Sequence, residues 1–266
     1  MKKSGIFKNN LGYGNDLFVY QDKEMFNYSV DTILLGNFVS INRNVSNILE
    51  IGTNNGALAI FIASRSKKIQ IDAIEIQKKA INLAKKNVEL NHLENQIDVI
   101  EADFKKYAKD YAFLCGNKQA KKYSLIVANP PYYNENFNKP RNTGTYEQKL
   151  ATHEINLDLE TLISLSAKII EQKGYLSLVL PIARYIDLIS LLRKYNFEPK
   201  RIQLVYTRIN SQPKFCLVEA RFNSGWGTFF EKNIYLHNEN KNDHSYSEDT
   251  KKLYIPIKEG EKNVKK

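Results

Sequence analysis

Asn47-Ile48-Leu49-Glu50-Ile51-Gly52, followed by Thr53-Asn54-Asn55-Gly56 and then Ala57-Leu58-Ala59-Ile60-Phe61-Ile62-Ala63, is the stretch that decides the fold. Its first six residues form a short apolar run with the length of a buried strand. The next four are turn-formers, and the apolar periodicity from Ala57 to Ser66 is that of a helix. Strand, tight Gly-containing turn and helix in that order open a doubly wound α/β unit, in which ligands bind at the carboxyl ends of the strands.

Outward from this unit the pattern repeats. Gln70-Ile71-Asp72-Ala73-Ile74-Glu75 reads as a second strand and ends in a carboxylate, 25 positions after Glu50. A carboxylate there can accept both hydroxyls of a ribose. Gln96-Ile97-Asp98-Val99-Ile100 is a third strand and runs into Glu101-Ala102-Asp103-Phe104. Asp103 is placed to accept from an adenine amino group, with Phe104 or Ile76 packing on the ring, although Asp103 serves equally as a helix N-cap. Ser124-Leu125-Ile126-Val127-Ala128 is a fourth strand and delivers Asn129-Pro130-Pro131-Tyr132. Acidic or polar groups therefore end four successive strands at one sheet edge.

The tetrapeptide has a chemical logic. An exocyclic amino group on a base, or an amide nitrogen, is a poor nucleophile because its lone pair is delocalised. Accepting hydrogen bonds from both of its N–H groups draws that pair outward. The side-chain oxygen of Asn129 can take one and the carbonyl of Pro130 the other, since proline has an acceptor but no donor. Pro130 and Pro131 stiffen the loop and favour an aligned attack. Tyr132 offers a flat face for a base.

With these residues in place, the chain resembles the class I S-adenosylmethionine-dependent methyltransferases, and within them the Asn-Pro-Pro-Tyr amino-methyltransferases. Glu50, Gly52 and Gly56 match the first motif of that family, Glu75 the second, Asp103 the third and Asn129 to Tyr132 the fourth. One departure is Asn54, where the family usually has glycine. Asn is the non-glycine residue that best tolerates a positive φ, so the departure bears on cofactor affinity rather than on the fold. The segment from Met25 to Gly36 resembles the one that precedes the first motif in bacterial tRNA (adenine-N6) methyltransferases and closes over the methionine end of the cofactor, which implies a cofactor contact for Thr32. Ala151 to Glu154, the helix from Asp158 to Glu171, the strand from Tyr175 to Pro181 and Leu217 to Arg221 are similar to that family too. The resemblance implies S-adenosyl-L-methionine as cofactor and a tRNA substrate, adenine 37 beside the anticodon of a valine tRNA being the best-known target. Protein glutamine methylation with the same tetrapeptide, and guanine-N2 or adenine-N6 methylation of ribosomal RNA, are the alternatives. The glutamine enzymes carry a helical N-terminal domain that the residues before Glu50 do not suggest. DNA adenine methylation usually brings a large target-recognition region, and a non-catalytic RNA-binding protein on this fold would not need an intact tetrapeptide.

The 266 residues, 42% of them hydrophobic, supply one substantial α/β core. The formal charge is +10, from 39 basic and 29 acidic residues. Such a field favours a polyanionic partner, though an AT-rich genome enriches Lys and Asn regardless of function. Arg193, Lys194, Lys200, Arg201, Arg208 and Lys214 interleave with Tyr195 and Tyr206, and with Arg141 they are the candidates for RNA contact. Pro131 and Tyr132 join Arg141, Lys200, Arg201 and Arg208 in the expected substrate site. Cys115 and Cys216 are 101 positions apart. They point to neither a disulfide framework nor a metal site, and suit a cytoplasmic protein. No apolar run is long enough to span a membrane. A monomer is the default expectation.

The expected architecture is α/β, a Rossmann-like doubly wound sheet of seven strands, mostly parallel with an antiparallel terminal strand. Residues 1–44 form an N-terminal extension and cofactor lid, 45–228 the catalytic domain, and 229–266 a C-terminal segment with a basic, flexible end. Strands are expected near 47–52, 70–75, 96–101, 124–128, 175–181, 201–207 and 215–222, the last two as a hairpin. The polar stretch from Asn134 to Thr145 is too long for an ordinary connection and is expected to be a substrate loop that orders on RNA. His153 is expected at a helix start.

Overall fold

A computed structural model describes residues 5–13, 15–130 and 157–260. The segment holding Pro131, Tyr132, Arg141, His153 and the expected substrate loop lies outside the described residues, as do Lys262 to Lys266.

A hairpin comes first, β1 (Ile6–Asn10) antiparallel to β2 (Phe18–Asp22), followed by α1 (Val30–Phe38). The doubly wound part then runs β3 (Asn47–Ile51), α2 (Ala57–Ala63), β4 (Gln70–Glu75), α3 (Lys78–Leu90), β5 (Ile97–Glu101), α4 (Phe104–Gly116) and β6 (Tyr123–Ala128). After the undescribed segment come α5 (Leu159–Ile169), β7 (Ile170–Pro181), α6 (Tyr185–Lys194), β8 (Phe197–Tyr206) and β9 (Pro213–Phe222). Two two-residue strands, β10 (Phe229–Phe230) and β11 (Ile234–Tyr235), precede a short α7 (Glu248–Lys252).

The main sheet has the order β10-β8-β9-β7-β6-β3-β4-β5, with β11 also paired to β8. Strands β3 to β7 are parallel neighbours, and β9 is inserted antiparallel between β7 and β8. The expected seven strands and the β8–β9 hairpin are present, but the sheet has nine strands rather than seven. The two extra ones pair parallel with β8 and cover part of its outer edge, where unpaired N–H and C=O groups would otherwise face water. Two-residue strands have no periodicity for a sequence to show.

Side chains alternate across the sheet and fill two layers. Ile48, Leu125 and Val127 face the cluster built with α1, α2 and α3. Leu49, Ile51, Ile126 and Ala128 face the one built with α4, α5 and α6. Burial on both faces is why these strands read as continuous apolar runs. Each fully buried Leu or Ile contributes roughly 1.5–3 kcal/mol. Helices α1 and α2 approach closely at Gly36, where an added Cβ would lie 2.6 Å from the Phe61 ring.

Polar side chains fasten the two ends of the chain to this body. Asn87 on α3 and Asn91, which caps that helix, sit one turn apart and read the main chain of β2. Asn87 accepts from Tyr20 N at 2.6 Å and donates to Tyr20 O at 3.0 Å, and Asn91 does the same with Phe18 at 3.0 and 2.7 Å. At the other end, Asn37 on α1 donates to the carbonyls of Leu253 and Ile255 and accepts from Ile257 N. Arg65 donates to Ile257 O at 2.8 Å, and to Gly36 O and Val39 O. The segment after residue 228 is thus hydrogen-bonded to β8, to α1 and to the residues that follow α2.

Candidate active site

At the carboxyl edge of β3, β4 and β6 lies a cavity walled by the turn after β3, the ends of β4 and β5, Asn129 and Pro130 after β6, and Phe26, Tyr28 and Thr32 from the N-terminal segment. The turn after β3 is built from left-handed residues: Gly52 has φ +73°, Asn54 +52° and Gly56 +82°. Glycine is needed at the first and last, since a side chain at these angles is strained. At Gly52 an added Cβ would meet no atom within 4 Å, so the space in front of that backbone is open. Asn54 adopts the positive φ foreseen for it.

Asn54 does more than tolerate the turn. Its N–H donates to Glu75 Oε2 at 3.0 Å, while its side-chain Nδ2 donates to Phe26 O at 2.7 Å. One residue therefore joins the turn to the acid ending β4 and to the segment that forms the cavity's opposite wall. The other oxygen of Glu75 accepts from Ile76 N at 2.8 Å and Gln77 N at 2.9 Å. Burial raises the Glu75 carboxyl above its ordinary value, and these three N–H groups oppose the rise. Glu50, on β3, is 2% exposed and accepts from Thr53 Oγ1 at 2.7 Å. Burial pushes its carboxyl up to about 7, against that bond and with a smaller contribution from Glu75. Two buried acids at one mouth suit a ligand that brings hydroxyls and positive charge.

Asp103 caps α4, accepting from Lys105 N at 2.7 Å, and also lines the cavity. Phe104 beside it is buried, whereas Ile76 is 47% exposed and forms apolar wall. Asn129, after β6, donates through Nδ2 to Oγ1 of Thr32 on the N-terminal segment at 3.2 Å. That bond fixes the orientation of the Asn129 amide, whose nitrogen is its donor and whose Oδ1 is its acceptor.

The structure brings together Thr32, Glu50, Gly52, Glu75, Ile76, Asp103, Phe104, Asn129 and Pro130 around one cavity, with Gly56 capping the helix that follows the turn. It does not bring Lys200, Arg201 or Arg208 there. Arg201 is half-buried and engaged within the fold: its guanidinium donates to Glu219 Oε1 at 2.9 Å, Glu231 Oε1 at 3.1 Å and Phe38 O at 2.9 Å, and lies over the Phe38 ring. Glu219 is fully buried and needs that cation. Arg208 donates to the carbonyls of Asn240 and Asp243, and Lys200 to those of Gly225, Trp226 and Gly227. Interleaved Lys, Arg and Tyr look alike in sequence whether they serve a surface or a buried pair. Sequence reasoning missed Phe26, Tyr28 and Asn55 as wall residues; Phe26 and Tyr28 lie in the quoted lid segment, but nothing in their identity marks them.

The wall also fits the cofactor that the resemblance implies. Asn55 Nδ2 is buried and has no hydrogen-bond partner among the described residues, which leaves a donor available for an anionic ligand group. Three backbone N–H groups fix the Glu75 carboxylate at the cavity, and Ile76 and Phe104 add apolar surface beside it. Among the described residues no group of three or more His, Cys, Asp or Glu is placed to hold a metal, and no helix is long and apolar enough to cross a membrane.

Comparison with known proteins agrees with this geometry. Residues 29–145 match the family model described as Methyltransferase small domain. A tRNA1(Val) (adenine(37)-N6)-methyltransferase from Parabacteroides distasonis is 32% identical over 201 residues, covering 76% of this chain and 79% of that protein. The enzyme of the same name from Christiangramia forsetii is 27% identical over 233 residues, covering 88% and 91%. Among solved structures, a predicted O-methyltransferase from Agrobacterium tumefaciens superposes with a TM-score of 0.65 at 20% identity, covering 88% of this chain and 100% of that one. M. jannaschii TYW2 in complex with AdoMet gives 0.53 at 12% identity, covering 83% and 87%. The structural likenesses show the shared fold, and the sequence relatives show the kind of methyltransferase: the chain belongs to the tRNA1(Val) (adenine(37)-N6)-methyltransferase family.

Proposed function

We propose that this enzyme methylates the exocyclic N6 of an adenine in tRNA, with adenine 37 of a valine tRNA as the substrate and S-adenosyl-L-methionine as the methyl donor. The observation that carries this reading is the position of Asn129 and Pro130. They end β6 at the cavity walled by Glu50, Glu75 and Asp103, with Asn129 held through its nitrogen by Thr32.

The bound cofactor supplies an electrophilic methyl on a sulfonium. Glu75 would hold the ribose, Asp103 the adenine amino group and Ile76 with Phe104 the faces of that ring. Glu50 and Thr32 line the same space, and Asn55 offers its open donor. On the substrate side, Asn129 Oδ1 and the Pro130 carbonyl accept the two N–H groups of the target amine, which turns the nitrogen lone pair toward the methyl. Neither acceptor is a strong base, so the proton leaves to solvent after the methyl has arrived. Tyr132 and Pro131 are proposed to stack on and confine the target base, which must be unstacked from its loop.

The test is methyl transfer from labelled S-adenosylmethionine to separate pools of unmodified tRNA, ribosomal RNA and soluble protein, followed by nucleoside analysis. Labelled N6-methyladenosine in tRNA supports the reading. Label in protein alone would move the assignment to glutamine methylation, and label in ribosomal RNA alone to a ribosomal target.

A further inference from the structure

The outer edge of the sheet presents an aromatic surface that the methyl-transfer site does not use. Trp226, in the turn between β9 and β10, is 93% exposed, and Phe229 and Phe230 are 62% and 59% exposed. Three aromatic rings within five residues are thus in contact with water, and such a patch marks an interaction surface.

The turn that carries them is fastened rather than loose. Lys200 Nζ donates to the carbonyls of Gly225, Trp226 and Gly227, and Thr228 Oγ1 donates to Pro199 O at 2.8 Å. Lys173 Nζ donates to Asn223 O, and Arg221 Nε to Lys173 O at 2.8 Å. Lys173, Lys200 and Arg221 therefore spend donors on neutral carbonyls. None of the three forms an ion pair among the described residues. Lys200 thus holds the carbonyls around Trp226, Lys173 reaches the start of the turn, and Arg221, which lies over the Tyr175 ring, precedes it, so three cations border the turn that carries the indole.

Flat π faces flanked by cations match the two chemistries of unpaired RNA, its bases and its phosphates. A second copy of this chain packed here about a two-fold axis would bring the same cations against one another. Register also fixes where the patch stands. Phe230 pairs with Ile202, Ile202 with Val218, Val218 with Leu178, and Leu178 with Ala128, the residue before Asn129. Four strand spacings, about 19 Å, thus separate Phe230 from Ala128 across the sheet, while Arg221 pairs with Tyr175 and Tyr175 with Leu125, so the cationic part of the patch lies three residues further toward the amino edge of the parallel strands. An RNA that places one base at Asn129 can reach this edge with nucleotides outside the methylated loop.

We propose that the 223–230 turn is a second contact surface for the tRNA substrate, with an unpaired base stacking on Trp226 and phosphates lying against Lys173, Lys200 and Arg221. This rests on the tRNA reading of the active site, and the experiment separates the two. Trp226 is the sole tryptophan of the chain, so its fluorescence reports this turn alone. Titration of unmodified tRNA into the protein is expected to quench that emission saturably, and added salt to restore it. Trp226→Ala is expected to raise the Kd and KM for tRNA by about 5- to 150-fold, the range of one base stack. Trp226→Phe should recover much of that loss. Affinity for S-adenosylmethionine and kcat at saturating tRNA should stay within twofold. The proposal is overturned if tRNA is bound and methylated with the fluorescence unchanged and the Trp226→Ala KM equal to the parent. It is also overturned if Trp226→Ala instead dissolves a dimer seen by sedimentation. A parent protein that binds cofactor but neither binds nor methylates tRNA would refute the tRNA reading itself, and this surface with it.

Discussion

Replacing Asn54 by glycine and by alanine separates the two jobs that this residue does. Its backbone occupies a left-handed conformation and gives an N–H to Glu75, while its side chain holds the Phe26 carbonyl at 2.7 Å. Glycine keeps the backbone and removes the amide. It loses one partly buried hydrogen bond, about 0.5–1.5 kcal/mol, and gains relief of the positive φ, so folding stability should change by no more than about 1 kcal/mol. Alanine loses the amide and also carries the left-handed cost of about 1–2 kcal/mol, for a total of about 1.5–3.5 kcal/mol. Cofactor binding should follow the amide rather than the backbone, because Phe26 is a wall of the cavity. Loss of the tether should raise the Kd for S-adenosylmethionine about tenfold in both variants, which corresponds to about 1.4 kcal/mol. Chemical denaturation gives the first pair of numbers and calorimetric titration the second. An Asn54→Gly protein that binds cofactor as tightly as the parent would refute the tether.

Further outcomes follow from the buried charges and the tetrapeptide. Glu50 titrates near its ordinary value of 4.5 when unfolded and is pushed up to about 7 in the fold. The folded state thus holds this proton more tightly, so the stability it contributes is complete below about pH 4.5 and lost as pH rises through 7, on the order of 3 kcal/mol. Glu50→Gln should flatten that loss in denaturation curves taken at pH 5 and 8; an unchanged slope would show that Glu50 is not its source. A cationic ligand should draw the same proton off, so affinity for S-adenosylmethionine should increase between pH 6 and 8, with proton release visible when calorimetry is repeated in buffers of different ionisation enthalpy. Arg201→Ala leaves Glu219 buried without its cation and should cost about 3–5 kcal/mol of stability; a variant as stable as the parent but weaker for tRNA would return Arg201 to the RNA surface. Asn129→Ala should lower kcat by at least about a hundredfold, by analogy with loss of one preorganised hydrogen-bonding group, with the Kd for cofactor changed little. The opposite pattern, with affinity lost and turnover kept at saturation, would reassign Asn129 to cofactor binding.

The sequence alone determined the doubly wound core, because strands buried on both faces must be continuously apolar. Asn47 to Ile51 and Tyr123 to Ala128 therefore announce themselves. It also determined the polar ends of those strands, since Glu50, Glu75, Asp103 and Asn129 interrupt apolar runs at the edge where such sheets bind ligands. Side-chain partners chosen across long sequence separations were decided only by the tertiary structure. Arg201 reads as an RNA-binding residue until Glu219 is found buried beside it, and β10 and β11 are too short to leave a pattern. The asparagines show the difference most directly. In composition they are only an abundant residue type, yet Asn54 bonds Phe26, Asn87 and Asn91 bond β2, and Asn37 bonds the C-terminal segment. A side-chain amide can donate and accept at once, so its role depends on which backbone groups the fold places opposite it.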